Sequence, residues 1–264
     1  MKRSLLFIAL LFLLIGSSFA WAQEWQHSPK LEKLFKEAQI RGTFVLYDVS
    51  ADTLIGHDHD RARSRFFPAS TFKIPNTLIG LSVQAVESVD EVLPYGGQKQ
   101  PIPSWEKNMG LRDAIKISSI PIYQELARRI GLANMREGIS RLNYGNADIG
   151  DVVDIFWLEG PLKISAIEQT LFLAGLAMGT LPFPPEAQKA VREIIKTEEG
   201  DGWTLYAKTG TAARVSPKIG WWVGWVEKAG QIYPFAINLD IRKPEDANQR
   251  IELGKACLKA LGIL

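Results

Sequence analysis

The run FPASTFKIPN, residues 67–76, sets how the rest of this chain is read. It places Lys73 three residues after Ser70 and surrounds both with proline, phenylalanine, alanine and isoleucine. If Pro68 to Ser70 open a helix, residues three apart share a face, and the Ser70 hydroxyl meets the Lys73 amine in a poorly hydrated pocket. An ammonium taken out of water is costly, so the placement asks for a chemical reason.

Around this run the periodicity changes. Strand-like stretches rich in β-branched and aromatic residues lie at both ends of the chain: GTFVLYDV from Gly42, then WTLYAKTG, IGWWVGWV and IYPFAINL after Gly202. Helical patterns dominate between them, in Leu111–Gly131, Ser165–Gly179 and Pro185–Lys196, and a last helix is expected from Arg250 to Gly262. That order predicts an α+β fold: a mainly antiparallel sheet built from both chain ends and flanked by helices, with a helical region over about residues 67–196 inserted between the strands. A functional site is expected in the cleft where sheet and helical region meet.

Composition narrows the function. The 31 basic and 29 acidic residues nearly balance, and no basic run is interleaved with aromatics, so nucleic acid is not an expected partner. The N-terminus reads as an export signal, residues 1–22: Lys2 and Arg3, an apolar Leu5–Ile15, then Ala20-Trp21-Ala22 as a cleavage site. The mature domain is then 23–264, without stable membrane association after cleavage, in the periplasm; an uncleaved anchor is the alternative. Cys257, the single cysteine, falls in an apolar helical pattern and reads as a buried residue.

Ser-x-x-Lys alone says little, since Ser104-Trp-Glu-Lys107 repeats it in what reads as a surface loop. Support comes from Lys208-Thr209-Gly210 at the end of an alternating strand, where a glycine lets a substrate lie along the edge and the lysine and threonine hold a carboxylate. Ser118, two residues before Ile120 and a helix, is placed to pass a proton, although serine is equally a helix cap. All three histidines, His27, His57 and His59, lie early, and no Gly-x-Ser-x-Gly elbow accompanies them. The run GHDHDRA has Arg61 where a zinc motif needs aspartate, so it reads as a solvated strand end and no metal is expected.

Taken in order, Ser70-x-x-Lys73, Ser118-x-Ile120, Tyr144-Gly145-Asn146, Trp157-Leu158 and Lys208-Thr209-Gly210 resemble the class D (oxacillinase-type) serine β-lactamases over essentially the whole mature chain. Sister families differ at definite positions. Ile139 stands where class A enzymes place a glutamate, Ile120 where transpeptidases place asparagine, and class C enzymes are longer and lack the Ser118 element. Ile120 also stands where class D commonly has valine, and its added methylene is expected to tighten the pocket beside Lys73.

The resemblance implies hydrolysis of small-molecule β-lactams through a Ser70 acyl-enzyme, with the alternatives a DD-peptidase or a sensor that stops at acylation. It implies that Lys73, neutral when dry, adds carbon dioxide to become N6-carboxylysine and serves as the base for both steps, needing bicarbonate and no other cofactor. Trp157 would donate to the carbamate, with Phe72, Ile120 and Leu158 as apolar wall. Ser118 and Lys208 would relay a proton to the ring nitrogen. The backbone N–H groups of Ser70 and Thr211 would form the oxyanion hole. Lys208, Thr209, Gly210 and Arg250 would bind the antibiotic carboxylate, Tyr144 and Asn146 would shape the cleft wall, and a homodimer is possible. The run TGTAARVSPKIGWWVGW resembles the loop of class D members that hydrolyse carbapenems.

Overall fold

A computed structural model describes residues 23–264, so the expected export signal lies outside the described residues. The N-terminal part supplies β1 (Glu24–His27), α1 (Pro29–Ala38), β2 (Gly42–Asp48), β3 (Thr53–His57) and α2 (His59–Arg63). A 3-10 turn at Ala69–Phe72 then leads into α3 (Lys73–Ser82), followed by α4 (Leu111–Lys116), α5 (Ile120–Ile130), α6 (Leu132–Arg141), α7 (Ala166–Met178) and α8 (Pro185–Ile194). The chain returns to strands in β4 (Lys196–Gly200), β5 (Trp203–Ala212), β6 (Lys218–Lys228) and β7 (Gln231–Ile241), and closes on α9 (Asp246–Ala260).

The sheet is ordered β1-β3-β2-β7-β6-β5-β4, with only β1 and β3 parallel. Its two halves join where β2 pairs β7, Gly42 opposite Leu239, as expected of a sheet drawn from both ends. Alternation along β2 separates the layers, because successive side chains face opposite sides. Phe44 and Leu46 pack with Leu31 and Phe35 of α1 and Leu253 and Cys257 of α9. Val45 faces the other core, shared with Leu173 and Leu176 of α7 and the inserted helices. Burying each such side chain contributes about 1.5–3 kcal/mol.

Several expectations need correction. The helical pattern over Leu111–Gly131 is two helices, interrupted where Ser118 takes a left-handed φ of 56°, and Pro121 sits in the first turn of the second, where its missing N–H costs nothing. The stretch after Ile194 turns into β4, a fully exposed edge strand of sequence KTEEG whose charges hide any strand pattern. The last helix starts four residues before Arg250, at Asp246. GHDHDRA is not simply a solvated strand end: Asp58 caps α2, and the Arg61 guanidinium is buried on Asn238 Oδ1 at 2.7 Å and Asp240 Oδ1 at 2.8 Å. His57 packs on Phe35 and His59 on Trp25. Among the described residues no helix is long and apolar enough to cross a membrane.

Candidate active site

The turn that presents Ser70 is fixed from several sides. Ala69, at φ 49°, donates its N–H to the carbonyl of Trp157 at 3.0 Å, and Thr71 Oγ1 donates to Pro68 O at 2.7 Å while accepting from Gln169 Nε2 of α7 at 2.8 Å. The turn runs straight into α3, whose first residue is Lys73. The three-residue spacing then does what geometry demands, and Lys73 Nζ donates to Ser70 Oγ at 3.2 Å. Lys73 is 0% exposed. Around it, Phe72 stacks on Trp157 with ring centres 5.4 Å apart, Phe156 packs edge-on to both, and Nζ lies 5.0 Å from the Tyr123 ring centre. The Tyr123 ring faces the amine, and Phe72, the expected wall residue, is buried in an aromatic cluster with Phe156 and Trp157.

The opposite wall is β5. The left-handed backbone at Ser118, between α4 and α5, sends its hydroxyl across to Lys208 Nζ, 2.5 Å away, and the same ammonium donates to Thr209 O at 3.0 Å. From α9, Arg250 Nη1 donates to Thr211 Oγ1 at 2.6 Å and to Gly210 O at 3.2 Å, so this half-buried guanidinium is tied to the strand. Gly210 has a reason other than the one expected. A Cβ there would stand 3.1 Å from Pro68 O and Thr71 N, so the missing side chain lets β5 close on the Ser70 turn. Ile120 and Leu158 are half-buried.

The electrostatics follow from burial. Desolvation first, and the charge of Lys208 second, push the Lys73 amine well below the ordinary ammonium range. Burial, then the Arg250 charge, lower Lys208 to about 7. Two amines that would each be fully charged in water are thus shifted toward the neutral form, Lys73 on the Ser70 hydroxyl and Lys208 on the Ser118 hydroxyl, the second poised to exchange a proton near neutrality. Trp157 Nε1 is buried and has no acceptor among the described residues.

The profile of the penicillin binding protein transpeptidase domain matches residues 42–259. The chain is 39% identical to the β-lactamase OXA-48 of Klebsiella pneumoniae over 91% of each chain, and 36% identical to OXA-5 of Pseudomonas aeruginosa over 97% of each. The solved structure of FUS-1 (OXA-85), a class D β-lactamase from Fusobacterium nucleatum subsp. polymorphum, superposes with a TM-score of 0.88 at 44% identity, covering 90% of this chain and 100% of that one. The chain belongs to the class D β-lactamases.

Within this class D site two expected wall residues stand elsewhere. Tyr144 is fully buried beneath Phe72, its hydroxyl donating to Gln169 Oε1 at 3.3 Å, because its ring is needed between Phe72 and Phe172. Asn146 is exposed and clamps its own loop, donating to Pro161 O and accepting from Lys163 N, both at 2.9 Å. Three features escaped the sequence reading: Asn76, buried one turn beyond Lys73; Ser119, buried beside Ser118; and the ion pair of Glu159 with Arg214. The first was legible as the end of Lys73-Ile-Pro-Asn76, a helical i+3 position. The ion pair joins residues distant in sequence and left no local signal.

Proposed function

We propose that this class D β-lactamase opens the lactam ring of penicillin-type antibiotics through a Ser70 ester that it then hydrolyses, giving resistance. The observation that carries the reading is the fully buried Lys73 amine, 3.2 Å from Ser70 Oγ and without an anionic partner among the described residues. A neutral amine in an aromatic enclosure is also the form that adds carbon dioxide, and the unpartnered Trp157 Nε1 is a donor suited to hold the product. When N-carboxylated, Lys73 supplies a carboxylate base within reach of Ser70.

The chain's own residues carry the remaining work. Ser70 Oγ attacks the lactam carbonyl carbon, and the backbone N–H groups of Ser70 and Thr211 receive the developing oxyanion. As the C–N bond breaks, Ser118 passes its proton to the ring nitrogen and is re-protonated by Lys208, whose value of about 7 suits transfer in either direction. Lys208, Thr209 and Arg250 hold the antibiotic carboxylate along β5, and Phe72, Phe156, Ile120 and Leu158 limit water. Residues 1–22 are proposed as a cleaved export signal delivering the enzyme to the periplasm, which N-terminal sequencing of the exported protein checks by a start at Gln23.

The deciding experiment is steady-state turnover of a chromogenic cephalosporin by the purified protein, in carbon-dioxide-depleted buffer and again with bicarbonate. Sustained turnover restored by bicarbonate is expected. A single stoichiometric burst that bicarbonate cannot extend would mean acylation without hydrolysis, as in a peptidase or sensor.

A further inference from the structure

Three fully buried polar atoms on α3, at the start of α5 and on Trp157 have no hydrogen-bond partner among the described residues: Asn76 Oδ1, Ser119 Oγ and Trp157 Nε1. Buried atoms of this kind are costly and rare, so each calls for an explanation. Trp157 has one above; Asn76 and Ser119 do not.

Their placement points to the same spot. Asn76 follows Lys73 by one turn of α3, and helical side chains lean toward the helix N-terminus, so the Asn76 amide covers the turn that carries Lys73. Its Nδ2 donates to Tyr123 O at 3.2 Å, while Lys73 Nζ sits 5.0 Å from the ring centre of the same tyrosine. Both side chains therefore meet α5 at one residue. Ser119, fully buried, stands at the N-cap of α5, the helix that carries Tyr123, and its hydroxyl caps nothing; Ser118, beside it, turns out to Lys208.

The atom types also match. In carbamate formation the neutral Nζ lone pair bonds to the carbon of carbon dioxide, one C–O π pair moves onto oxygen, and one Nζ proton leaves to the buffer. What remains offers a single N–H and two oxygens. It needs one acceptor and several donors. An amide oxygen can only accept, an indole N–H can only donate, and a hydroxyl can donate. A charged ammonium would confront the indole donor, and a neutral amine has one lone pair to offer it but no oxygens to receive a second donor.

We propose that Asn76 and Ser119 are positioning residues for N-carboxylated Lys73, Asn76 Oδ1 accepting the remaining Nζ–H and Ser119 Oγ–H donating to a carbamate oxygen. The inference rests on the carbamate reading of the site. A buried water shared among the same atoms is the competing account, and it leaves the affinity for carbon dioxide indifferent to both residues.

The test titrates the purified protein with 13C-bicarbonate and follows the carbamate carbon by NMR, in wild type and in Asn76→Leu, Asn76→Ala and Ser119→Ala, with urea unfolding to establish that each variant folds. Asn76→Leu is expected to need about tenfold more bicarbonate for half-occupancy, the scale of one hydrogen bond to a charged group, and Ser119→Ala a smaller excess in the same direction. Ser119→Ala removes a single oxygen, so it keeps the question answerable if neither Asn76 variant folds. Wild-type bicarbonate affinity in every folded variant overturns the proposal. Absence of any carbamate signal in the wild-type protein at saturating bicarbonate is a different result, which removes the carbamate reading and this inference with it.

Discussion

The cleft holds two buried lysines that reach low proton affinity by different routes. Lys73 is fully buried, lies 5.0 Å from the Tyr123 ring centre, and among the described residues its amine bonds Ser70 Oγ alone, at 3.2 Å. Lys208 is 6% exposed yet well provided, with Ser118 Oγ at 2.5 Å and Thr209 O at 3.0 Å. Both are lowered chiefly by burial, but the nearest charges differ: Lys208 acts on Lys73, and Arg250 acts on Lys208. The contrast separates two uses of desolvation. At Lys73 it favours the neutral, nucleophilic amine that the proposed modification requires. At Lys208 it brings an amine already bonded to Ser118 to about 7, the value the proposed proton relay requires.

The largest effect expected from this contrast is at Lys73. Lys73→Met should lower turnover by about 10⁴-fold, the upper range for loss of a general base, leaving any Ser70 adduct long-lived in intact-protein mass spectra. In carbon-dioxide-depleted buffer, where the amine is unmodified, the same change should stabilise the fold. Because the folded amine is held below its unfolded value near 10.5, the unfolded state binds the extra proton, so this lysine costs stability at neutral pH and the cost shrinks as pH rises toward 10.5. A gain of 1 kcal/mol corresponds to about 2–4 °C in Tm for a protein of this size, and calorimetry should find a larger gain at pH 7 for Lys73→Met than for the better-bonded Lys208→Met. Equal or reversed shifts would break the distinction between the two lysines.

Next in size is Trp157. Trp157→Phe keeps the stack on Phe72 but removes the indole donor, so activity should survive only with added bicarbonate, at about 10–100-fold higher concentration than wild type requires, read by turnover against bicarbonate. A bicarbonate-independent Trp157→Phe enzyme would mean that the unpartnered Nε1 has no bearing on Lys73.

Much of this site was legible in the sequence because its spacing is local. Ser70 and Lys73 meet through one helical turn, and Lys208-Thr209-Gly210 shares a strand whose alternation is plain. Strands β2, β5, β6 and β7 were legible for the same reason; the short β1 and β3 were not read, KTEEG of β4 carries no apolar period, and Arg61 of α2 is buried by a partner nearly 180 positions away. Gly210 carries a second reason that the sequence could not show, since the close approach of Pro68 and Thr71 is a tertiary fact. Tyr144 was misplaced because a motif records that a residue recurs, not which side of Phe72 it occupies.

A smaller effect sharpens the Lys208 side. Its proton is held below about pH 7 and lost above, so kcat/KM for an anionic β-lactam should fall as pH rises through that value. Arg250→Ala removes the positive charge that helps lower Lys208, so the falling limb should move to higher pH while KM rises. A pH profile in which Arg250→Ala changes KM without moving the limb would leave Arg250 as a carboxylate anchor with no influence on the proton donor.

The smallest effect lies at the ion pair between Arg214, on the turn joining β5 to β6, and Glu159, beside Trp157 and Leu158. Arg214 is 64% exposed, and exposed pairs contribute only about 0–1 kcal/mol, so Arg214→Ala should leave Tm within about 2–4 °C of wild type. Its consequence is geometric. The pair ties the end of the substrate-binding strand to the segment that encloses Lys73, so it links the two lysine environments across the cleft. Releasing it should change KM by a few-fold for β-lactams with bulky side chains and very little for small penicillins, with bicarbonate dependence unchanged. A shift in bicarbonate dependence instead would show that the turn beyond β5 bears on Lys73 itself, and that the two halves of the cleft are coupled through more than the Lys208 charge.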